Sequence, residues 1–419
     1  MESPVILRAR LVLPLAGPPI ENGAVLARSG RIEAVGKLQD MPPDCGAVVD
    51  LGETILLPGL VNAHCHLDYT GMAGHLPPAD FLSWVNGLLA HKAEWSYSEF
   101  SQSWIAGARM LERTGTTTVA DIETVPELLP EVWTATSLRV CSFIEMTCVR
   151  SQRNCRKMID DAARLISGLR PPRGYAGLSP HAIYSTVPAL LRLAAERGRR
   201  ENWRITTHVS ESPQEFEMCR RASGPMFDWL KRQRDMSDCG SSTPVQILAQ
   251  CGLLGPNFLA IHANYLEPKD IRLLADSGSS VAHCPRSHSF FGHDPFPYSA
   301  LAKAGVNVCL GTDSLASVNR IYGNKPELSL FAEMSVFAAK TGTAPETIVR
   351  MATLNGARAL GLEGQIGQLS PGARADLIAI PYSGAKADLF EAIVNNWRDV
   401  SASMIDGRWV VLPENALGE

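Results

Sequence analysis

Leu60-Val61-Asn62-Ala63-His64-Cys65-His66 is an apolar run that ends in two histidines. The run predicts a buried β-strand, and side chains two residues apart on a strand lie on the same face. His64 and His66 can therefore bind one cation together, and imidazole nitrogen suits zinc, iron and similar divalent metals. The alternative is that the two histidines share a strand by chance. Further metal-binding residues later in the chain would favour the metal site over this alternative.

Short apolar runs continue after this first strand and alternate with amphipathic helical patterns, which is typical of βα units around a parallel sheet. The eight predicted strands are Leu60–His66, Thr116–Asp121, Val140–Glu145, Tyr175–Pro180, Ile205–His208, Leu259–His262, Ser280–Cys284 and Val308–Thr312. Predicted helices include Tyr97–Thr114, Cys155–Gly168, Val187–Gly198, Thr243–Cys251 and Glu267–Ser277. This α/β pattern predicts a (β/α)8 TIM-like barrel, whose active site lies at the carboxyl ends of the strands.

Both ends of the chain carry short β-rich runs that turns separate. The predicted runs are Val5–Leu13, Ala24–Ala27, Arg31–Val35, Val48–Leu51, Gly367-Gln368-Leu369, Ala375–Ile380, Ser401–Ile405 and Trp409–Leu412. Neither end has enough strands to bury a core alone. We therefore predict that residues 1–57 and 365–419 form one small β-sandwich module, and that residues 58–364 form the barrel.

Composition restricts the functional class. The chain has 419 residues, a net charge of −4 and 45% hydrophobic residues, which indicates a globular protein and gives no electrostatic footprint for nucleic acid or an anionic membrane. Its ten cysteines are scattered, which favours reduced thiols over a disulfide framework. We see no signal-peptide pattern and no apolar run of transmembrane length, so a cytoplasmic location is expected.

Three of the predicted strands end in, or lead directly to, residue types that bind metals. His64 and His66 end the first strand, His208 ends the fifth, and Asp313 follows the eighth. Because the carboxyl ends of barrel strands meet at one face, these three imidazoles and one carboxylate predict a site for one divalent metal with room for a water molecule. Such a metal lowers the pKa of its water. Zinc is the expected metal, and iron or manganese would also suit this ligand set.

Two further residues are candidates for proton transfer beside this site. Glu211 follows His208 by three residues, and a glutamate there suits acid–base work on a ring nitrogen of a substrate. The alternative for Glu211 is a carboxylate favoured by a helix dipole. His262 ends the sixth strand and could polarise the water or the leaving group, with a satisfied core histidine as its alternative.

Five motifs of the chain resemble the amidohydrolase superfamily, in the branch of nucleoside and nucleobase deaminases and triazine chlorohydrolases. They are Pro58-Gly59-Leu60-Val61-Asn62-Ala63-His64-Cys65-His66, Thr207-His208-Val209-Ser210-Glu211, Ile261-His262, His283-Cys284-Pro285-Arg286-Ser287 and Leu310-Gly311-Thr312-Asp313-Ser314. The tail Gly367–Leu377 also resembles the closing signature of that superfamily, so the resemblance covers nearly the whole chain.

The resemblance implies a hydrolytic deaminase with one metal, no organic cofactor and a homodimeric assembly. Glu211 would protonate the ring nitrogen while water adds to the amine-bearing carbon. His262 and Asp313 would orient and deprotonate that water, and Asp313 would then pass a proton to departing ammonia. Position 181 is histidine, whereas two-metal relatives carry a bridging lysine on the fourth strand, so one metal is expected.

The resemblance also nominates substrate contacts. His181 follows the fourth strand in a segment that resembles a nucleoside contact of the family, and a structural loop histidine is its alternative. Asp68 could bond sugar hydroxyls or cap a helix. Ser314, which follows Asp313 in the last motif, is a further predicted substrate contact. Trp84 lies with apolar neighbours on the long loop after the first strand, which we predict to be a lid or a partner contact.

The segment after the seventh strand departs from the family pattern and indicates a specific substrate. It contains Arg286 and His288 beside two phenylalanines, and arginine forks onto carboxylates while phenylalanine packs against rings. Among the substrates of the family that the motifs resemble, the one that fits such a segment is 6-amino-6-deoxyfutalosine, an adenine nucleoside with a carboxyphenyl tail. The resemblance therefore implies a place in menaquinone synthesis. The alternative is that Arg286 pairs with an acidic neighbour.

Other functions stay open at this point. Adenosine, 5′-methylthioadenosine and S-adenosylhomocysteine are alternative substrates, and a triazine-type hydrolase would use the same site. The non-enzymatic alternative is a catalytically inactive interaction protein of the same fold, but such members tend to lack metal ligands.

Overall fold

The computed structural model describes residues 4–42, 46–150, 154–319 and 326–414. Within these ranges the strands form two separate sheets, one of parallel strands and one built from both ends of the chain. The strands are β1 Val5–Val12, β2 Ile20–Arg28, β3 Arg31–Lys37, β4 Ala47–Asp50, β5 Thr54–Pro58, β6 Leu60–Cys65, β7 Thr116–Glu123, β8 Arg139–Met146, β9 Gly174–Pro180, β10 Ile205–Val209, β11 Phe258–His262, β12 Ser280–His283, β13 Asn307–Leu310, β14 Leu377–Pro381, β15 Ala402–Ile405 and β16 Arg408–Val411.

Most of the helices lie between the parallel strands, and the later ones follow β13. They are α1 Phe81–Glu94, α2 Tyr97–Arg113, α3 Leu129–Val132, α4 Cys155–Gly168, α5 Pro188–Glu201, α6 Pro213–Arg221, α7 Pro225–Leu230, α8 Pro244–Gln250, α9 Pro268–Ser277, α10 Pro285–Phe290, α11 Tyr298–Lys303, α12 Leu330–Thr341, α13 Pro345–Met351, α14 Leu354–Ala359 and α15 Leu389–Val394. In the described ranges, no helix combines the length and the apolar character that a membrane crossing requires.

Strands β6 to β13 form the barrel, with each strand hydrogen-bonded to the next in chain order. Every predicted barrel strand is present, and its ends differ from the prediction by at most two residues. The predicted α/β fold class with a TIM-like barrel is therefore confirmed. Parallel strands covered by helices are buried on both faces, which explains why their apolar runs were readable in the sequence.

The barrel closes between its first and last strands through Asn62. The Asn62 side chain donates to the hydroxyl of Thr312 (2.8 Å) and accepts from its backbone N–H (3.1 Å). The carbonyl of His64 accepts from the N–H groups of Thr312 (2.9 Å) and Asp313 (3.1 Å). These bonds bring Asp313 to the end of the strand that carries the paired histidines.

One predicted loop is a helix. We expected residues after the first strand to form a long loop around Trp84, but residues 81–94 form α1, whose first turn is capped by Asp80 accepting from the N–H of Ser83 (3.2 Å). Aspartate at this position satisfies a backbone donor that has no partner within the helix. The apolar residues around Trp84 are therefore presented by a rigid element.

The second sheet combines both ends of the chain in the order β16-β15-β14-β5-β1-β2-β3, with β4 paired to β1. Strand β5 was not among our predicted strands, yet it joins the two halves by pairing with β1 and β14. Gly367-Gln368-Leu369 was predicted as a strand and is not one; the N–H of Leu369 instead donates to the carbonyl of Pro14 (2.9 Å). The boundaries at residues 57/58 and 364/365 stay predictions.

Alternation along these strands attaches the second sheet to the barrel. On β5, Ile55 and Leu57 pack into the large barrel core, whereas Leu56 packs into the core of the terminal sheet. On β14, Ile378 and Ile380 pack toward the barrel, whereas Leu377 and Ala379 pack the other way. Because strand side chains alternate between faces, one sheet serves both cores.

Gly311 gives a test of the barrel closure. A Cβ added at Gly311 would lie 2.8 Å from both the Cβ and the carbonyl oxygen of His64, which is closer than real Cβ atoms approach. We expect Gly311→Ala to lower the free energy of unfolding by about 1–3 kcal/mol, the usual cost of overpacking. Gly168→Ala is the matched control, because a Cβ there meets nothing within 4 Å. Equal midpoints of urea-induced unfolding for the two variants would contradict the close approach of Gly311 to His64.

Candidate active site

A cavity of about 260 Å3 lies at the carboxyl ends of the barrel strands. Its floor contains the strand-end residues His66, His208, His262 and Asp313, and its walls include apolar residues of α1. This is where a barrel of this type places its site. The residues that line it are His66, Tyr69, Phe81, Trp84, Val85, Leu88, Leu89, Lys92, Glu145, Thr147, Val149, His181, Tyr184, Ser185, His208, Glu211, Trp229, Leu230, His262, Asp313 and Ser314.

The structure brings the four predicted metal ligands together. One nitrogen from each of His64, His66 and His208 lies within 4.8 Å of the others. The Nε2 atoms of His66 and His208 are 3.3 Å apart. Asp313 Oδ1 is 3.5 Å from His64 Nε2 and 3.8 Å from His66 Nε2. These atoms converge on one point from β6, β10 and the segment after β13.

The chemistry of this donor set fits a divalent cation. Both ring nitrogens of His64 and the Nδ1 of His66 are buried without a hydrogen-bond partner, which is costly unless another ligand engages them. The Nδ1 of His208 lies 2.9 Å from the carbonyl oxygen of His181. A donated hydrogen bond there would leave the Nε2 of His208 as a lone pair aimed at the other ligands.

The protonation states also suit a metal. Burial lowers the pKa of His66 and His208 well below the usual value, and neighbouring histidines lower it further. Burial alone would raise the pKa of Asp313, but the close contact with His64 (3.5 Å) and the other nearby imidazoles hold that pKa well below the usual range. Neutral imidazoles and an ionised carboxylate are the forms that ligate metals.

Backbone strain is concentrated at the strand ends that carry this site. His262 has a φ of 69°, Asp313 has a φ of 52° and Ser210 has a φ of 50°. These values lie in the left-handed region, which costs residues with a Cβ about 1–3 kcal/mol each and tends to cluster at functional sites. The strain turns these side chains out of the strand direction at the rim of the barrel.

Glu211 and His262 face each other beside the cluster, with Glu211 Oε1 3.5 Å from His262 Nε2. Burial raises the pKa of Glu211 well above its usual value, and the charges of Asp313 and Glu215 raise it further. Burial lowers the pKa of His262 well below its usual value. A carboxyl group with a raised pKa and an imidazole with a lowered pKa in one site suit the roles of acid and base.

Three of the predicted substrate contacts line the cavity: His181, Ser314 and Trp84. His181 Nδ1 is 2.6 Å from the hydroxyl of Ser185, which orients the ring. The indole N–H of Trp84 donates to the carbonyl of Ala316 (3.1 Å). This bond ties α1 to the segment after Asp313, so the apolar wall is attached to the metal-binding end of the barrel.

The structure does not bring the other three predicted contacts into the cavity. Arg286 forms an ion pair with the buried Glu333 (Nε to Oε1 2.6 Å) and donates to the carbonyl of Glu327 (2.8 Å). His288 Nε2 lies 2.9 Å from the carbonyl oxygen of Asp294. The ion pair with Glu333 is the alternative that the sequence left open for Arg286, so the geometry favours that alternative, and the binding of a carboxylate by Arg286 and His288 stays a prediction.

Asp68 is also displaced from its predicted place. Its carboxylate accepts a hydrogen bond from the hydroxyl of Thr124, and it lines a small space of about 10 Å3 together with Glu123. Burial raises the pKa of Asp68 to about 7. The segment just after His66 turns this side chain under the cavity floor, where the N–H of Leu67 donates to Asp121 (2.9 Å).

Two charged residues that line the cavity were not predicted from the sequence. Glu145 lies near the end of β8, with its Oε2 3.9 Å from His181 Nε2. Lys92 is on α1 and donates to the hydroxyl of Tyr69. The sequence could have indicated Glu145 as a site residue, because it is the last residue of a predicted barrel strand, as some of the predicted metal ligands are. Lys92 gave no signal, since the segment around it was read as a loop.

Comparison with known proteins places the chain in a family. The amidohydrolase family model matches residues 55–410. The chain is 31% identical over 395 residues to a 5-methylthioadenosine/S-adenosylhomocysteine deaminase of Syntrophobacter fumaroxidans, covering 89% of this chain and 83% of the relative. The resemblance seen in the motifs is confirmed.

Solved structures agree on the fold. A zinc-bound adenosine deaminase of Xanthomonas campestris superposes with a TM-score of 0.83 at 24% identity, covering 97% of this chain and 93% of the other. An aminofutalosine deaminase of Helicobacter pylori, in complex with methylthio-coformycin, superposes with a TM-score of 0.85 at 18% identity, covering 97% and 100%. The prediction of a hydrolase that acts on carbon–nitrogen bonds in cyclic amidines is confirmed by the family match, and the chain belongs to the amidohydrolase family.

Proposed function

We propose that this protein is a metal-dependent deaminase of adenine nucleosides that carry an apolar substituent at the 5′ position, with 5′-methylthioadenosine as the expected substrate. The observation that carries the proposal is the pair of Glu211 and His262, 3.5 Å apart, in the cavity that contains the convergent histidines. This pair supplies what a purine ring needs: a proton for a ring nitrogen and a base beside the attacked carbon.

His64, His66, His208 and Asp313 would hold the metal, and zinc is proposed because three imidazoles and a carboxylate suit it. A divalent cation bound there would lower the pKa of a water molecule and orient it toward the substrate. The amidohydrolase relatives named as deaminases, and the zinc-bound neighbour of the same fold, support this assignment.

Proton movements follow from the positions of three residues. Glu211, protonated because burial raises its pKa, would donate to the ring nitrogen next to the amine-bearing carbon. His262 and Asp313 would orient the water and accept its proton as it adds to that carbon. Asp313 would then pass that proton to the amino group, which departs as ammonia. The hydroxyl group on the same carbon would return its proton to Glu211 and become the carbonyl.

The cavity walls support an adenine nucleoside with an apolar tail. Phe81, Trp84, Val85 and Leu88 on α1 supply apolar and aromatic surface, which suits a purine and a thioether. Glu145 near the end of β8 and His181 just after the neighbouring β9 are 3.9 Å apart. They could form hydrogen bonds with ribose hydroxyls. The relatives named for 5-methylthioadenosine and S-adenosylhomocysteine point the same way.

A carboxylate-bearing nucleoside is the second candidate, and Lys92 favours it. Lys92 is the only lysine or arginine that lines the cavity within the described residues. It could pair with the carboxylate of S-adenosylhomocysteine or of 6-amino-6-deoxyfutalosine, the substrate that the sequence favours. The second of these would place the enzyme in menaquinone synthesis. Because Arg286 is paired with Glu333 and does not line the cavity, it no longer supports 6-amino-6-deoxyfutalosine, and 5′-methylthioadenosine is preferred.

Two other functions fit less well. A triazine-type hydrolase would share the fold, but the buried acid–base pair suits protonation of a purine ring nitrogen. An inactive interaction protein would not explain four converging metal ligands. The predicted homodimer and cytoplasmic location stay predictions.

The proposed metal ligands can be tested by metal content. We expect His208→Asn and Asp313→Asn to bind less than about a tenth of the metal held by the parent protein, because each removes one of few ligands. His75→Asn is the matched control, since His75 is exposed and lies outside the cluster. Elemental analysis after dialysis gives the readout. Full metal content in both ligand variants would contradict the assignment.

The proposed acid can be tested by kinetics. Glu211→Gln should lower kcat for 5′-methylthioadenosine by about 10²–10⁴-fold, the usual worth of a positioned general acid. Metal content should stay at one ion per chain. Glu346→Gln serves as the control, because the Glu346 side chain is 52% exposed and pairs only with Arg350 on its own helix. A Glu211→Gln enzyme of normal kcat would remove Glu211 from the mechanism.

Ammonia release from a panel of nucleosides separates the two candidate substrates. The panel contains 5′-methylthioadenosine, adenosine, S-adenosylhomocysteine and 6-amino-6-deoxyfutalosine. If Lys92 pairs with carboxylates, Lys92→Met should lower kcat/KM for the two carboxylate substrates at least about tenfold and change that for 5′-methylthioadenosine much less. Lys157→Met, at an exposed position of α4, is the control. Equal losses on all substrates would refute the carboxylate role.

A further inference from the structure

The backbone of Glu211 is held on both sides by the side chains of two other residues. Glu215 Oε2 accepts a hydrogen bond from the N–H of Glu211 (2.9 Å), and Asn264 Nδ2 donates to the carbonyl of Glu211 (2.9 Å). Glu211 lines the cavity, with its Oε1 3.5 Å from His262 Nε2, whereas Glu215 and Asn264 do not line it. Both backbone polar groups of the proposed acid are therefore fixed from outside the cavity.

The hydrogen bond of the Glu215 side chain departs from the usual pattern at the start of a helix. Glu215 is the third residue of α6, and Ser212 caps this helix by accepting from the N–H of Glu215 (3.2 Å). In a capping box, the acidic side chain at this position accepts in return from the N–H of the capping residue. Glu99 does this for Ser96 at the start of α2 (2.7 Å). Glu215 instead accepts from the residue before the cap, which is Glu211. Helix capping alone therefore does not explain this side chain.

Both holding side chains are buried at positions where a polar group is costly. Glu215 is 0% exposed and Asn264 is 5% exposed. Glu215 Oε1 and Asn264 Oδ1 are buried without a hydrogen-bond partner, and a buried polar atom of this kind destabilises the fold. Packing alone would therefore favour apolar side chains at both positions. What the two polar side chains share is a hydrogen bond to Glu211.

Asn264 also links the end of β11, which carries His262, to the end of β10. Its backbone N–H donates to the carbonyl of Ser210 (3.1 Å), while its side chain donates to the carbonyl of the next residue, Glu211 (2.9 Å). His262 and Ser210 have left-handed φ values of 69° and 50°, which are costly for residues with a Cβ unless the surroundings hold them. The bonds of Asn264 therefore help to fix Glu211 relative to His262.

We propose that Glu215 and Asn264 are positioning residues, which hold the backbone of Glu211 so that its carboxyl group faces His262 and the ring nitrogen of the substrate. The inference rests on the proposed function, because it concerns the acid of that reaction. A glutamate side chain has several rotamers, and a misplacement of about 1 Å in a catalytic group can cost about 10²-fold in rate. Because neither residue lines the cavity, both act through Glu211.

Steady-state kinetics of the metal-loaded protein with 5′-methylthioadenosine test the proposal. Asn264→Leu removes the donor to Glu211 and keeps a side chain of similar shape. We expect kcat to fall at least about tenfold and KM to stay within about threefold, because the cavity walls and the metal ligands are unchanged. Glu215→Met, which has no acceptor for the N–H of Glu211, should behave in the same way.

Three further variants separate positioning from a general loss of structure. Glu215→Gln keeps an acceptor oxygen, and burial raises the pKa of Glu215 to about 8, so the neutral amide is a close substitute and should keep kcat within about threefold. Glu99→Met removes the capping carboxylate of α2, outside the cavity, and should keep the parent kcat. In the Glu211→Gln protein, Asn264→Leu should lower kcat by less than about threefold, because residues that act as a unit are not additive. An unchanged kcat in Asn264→Leu, or a further tenfold loss in the Glu211→Gln protein, would overturn the proposal.

Crystal structures of the parent protein and of Asn264→Leu distinguish this inference from the proposed function. In the variant, the Glu211 carboxyl group should leave its position 3.5 Å from His262 Nε2. Glu215→Met provides the same comparison if Asn264→Leu does not fold. A carboxyl group that stays in place would overturn the positioning role, whatever the parent protein deaminates. A carboxyl group that moves, in a protein whose parent releases no ammonia from adenine nucleosides, would support the positioning role and contradict the proposed function.

Discussion

The site depends on the convergence of buried imidazole nitrogens at the point where the barrel closes. The Nε2 atoms of His66 and His208 face each other at 3.3 Å, and both ring nitrogens of His64 are buried without a hydrogen-bond partner. Burial keeps His66 and His208 neutral, so the nitrogens cannot be satisfied by protonation. A divalent cation would satisfy these nitrogens, and its binding would require Asp313 to be ionised. The closure through Asn62 and Thr312 places Asp313 there.

The terminal sheet and the helix α1 both pack against the barrel that carries this arrangement. The terminal sheet packs one face of β5 and β14 against the barrel, and the helix α1 is tied to the segment after Asp313 through Trp84. The apolar wall and the metal-binding end of the barrel are thereby joined. Strain at His262 and Asp313 is affordable only because the surrounding strands hold these residues in place. The same burial that lowers the pKa of His66 and His208 raises the pKa of Glu211 well above its usual value.

Periodicity and strand-end residues predicted much of the fold and the metal cluster. The barrel strands are continuous apolar runs because helices cover both sheet faces, and the ligands sit at strand ends, where position in sequence determines position in space. Arg286 shows where this reasoning fails. It lies after a barrel strand as the ligands do, yet its partner Glu333 comes from α12, 47 residues further along the chain. Long-range pairing of that kind leaves no local pattern. Lys92 was missed for a related reason, because a helix after the first strand was read as a loop.

The most direct test of the account is a zinc titration of metal-free protein with 5′-methylthioadenosine present. Ammonia release should rise in proportion to bound zinc and stop rising at one ion per chain, because a single cation between His64, His66, His208 and Asp313 completes the site. Full occupancy by one zinc ion without release of ammonia from any adenine nucleoside would contradict the proposed chemistry. A requirement for a second ion would contradict the single-metal site.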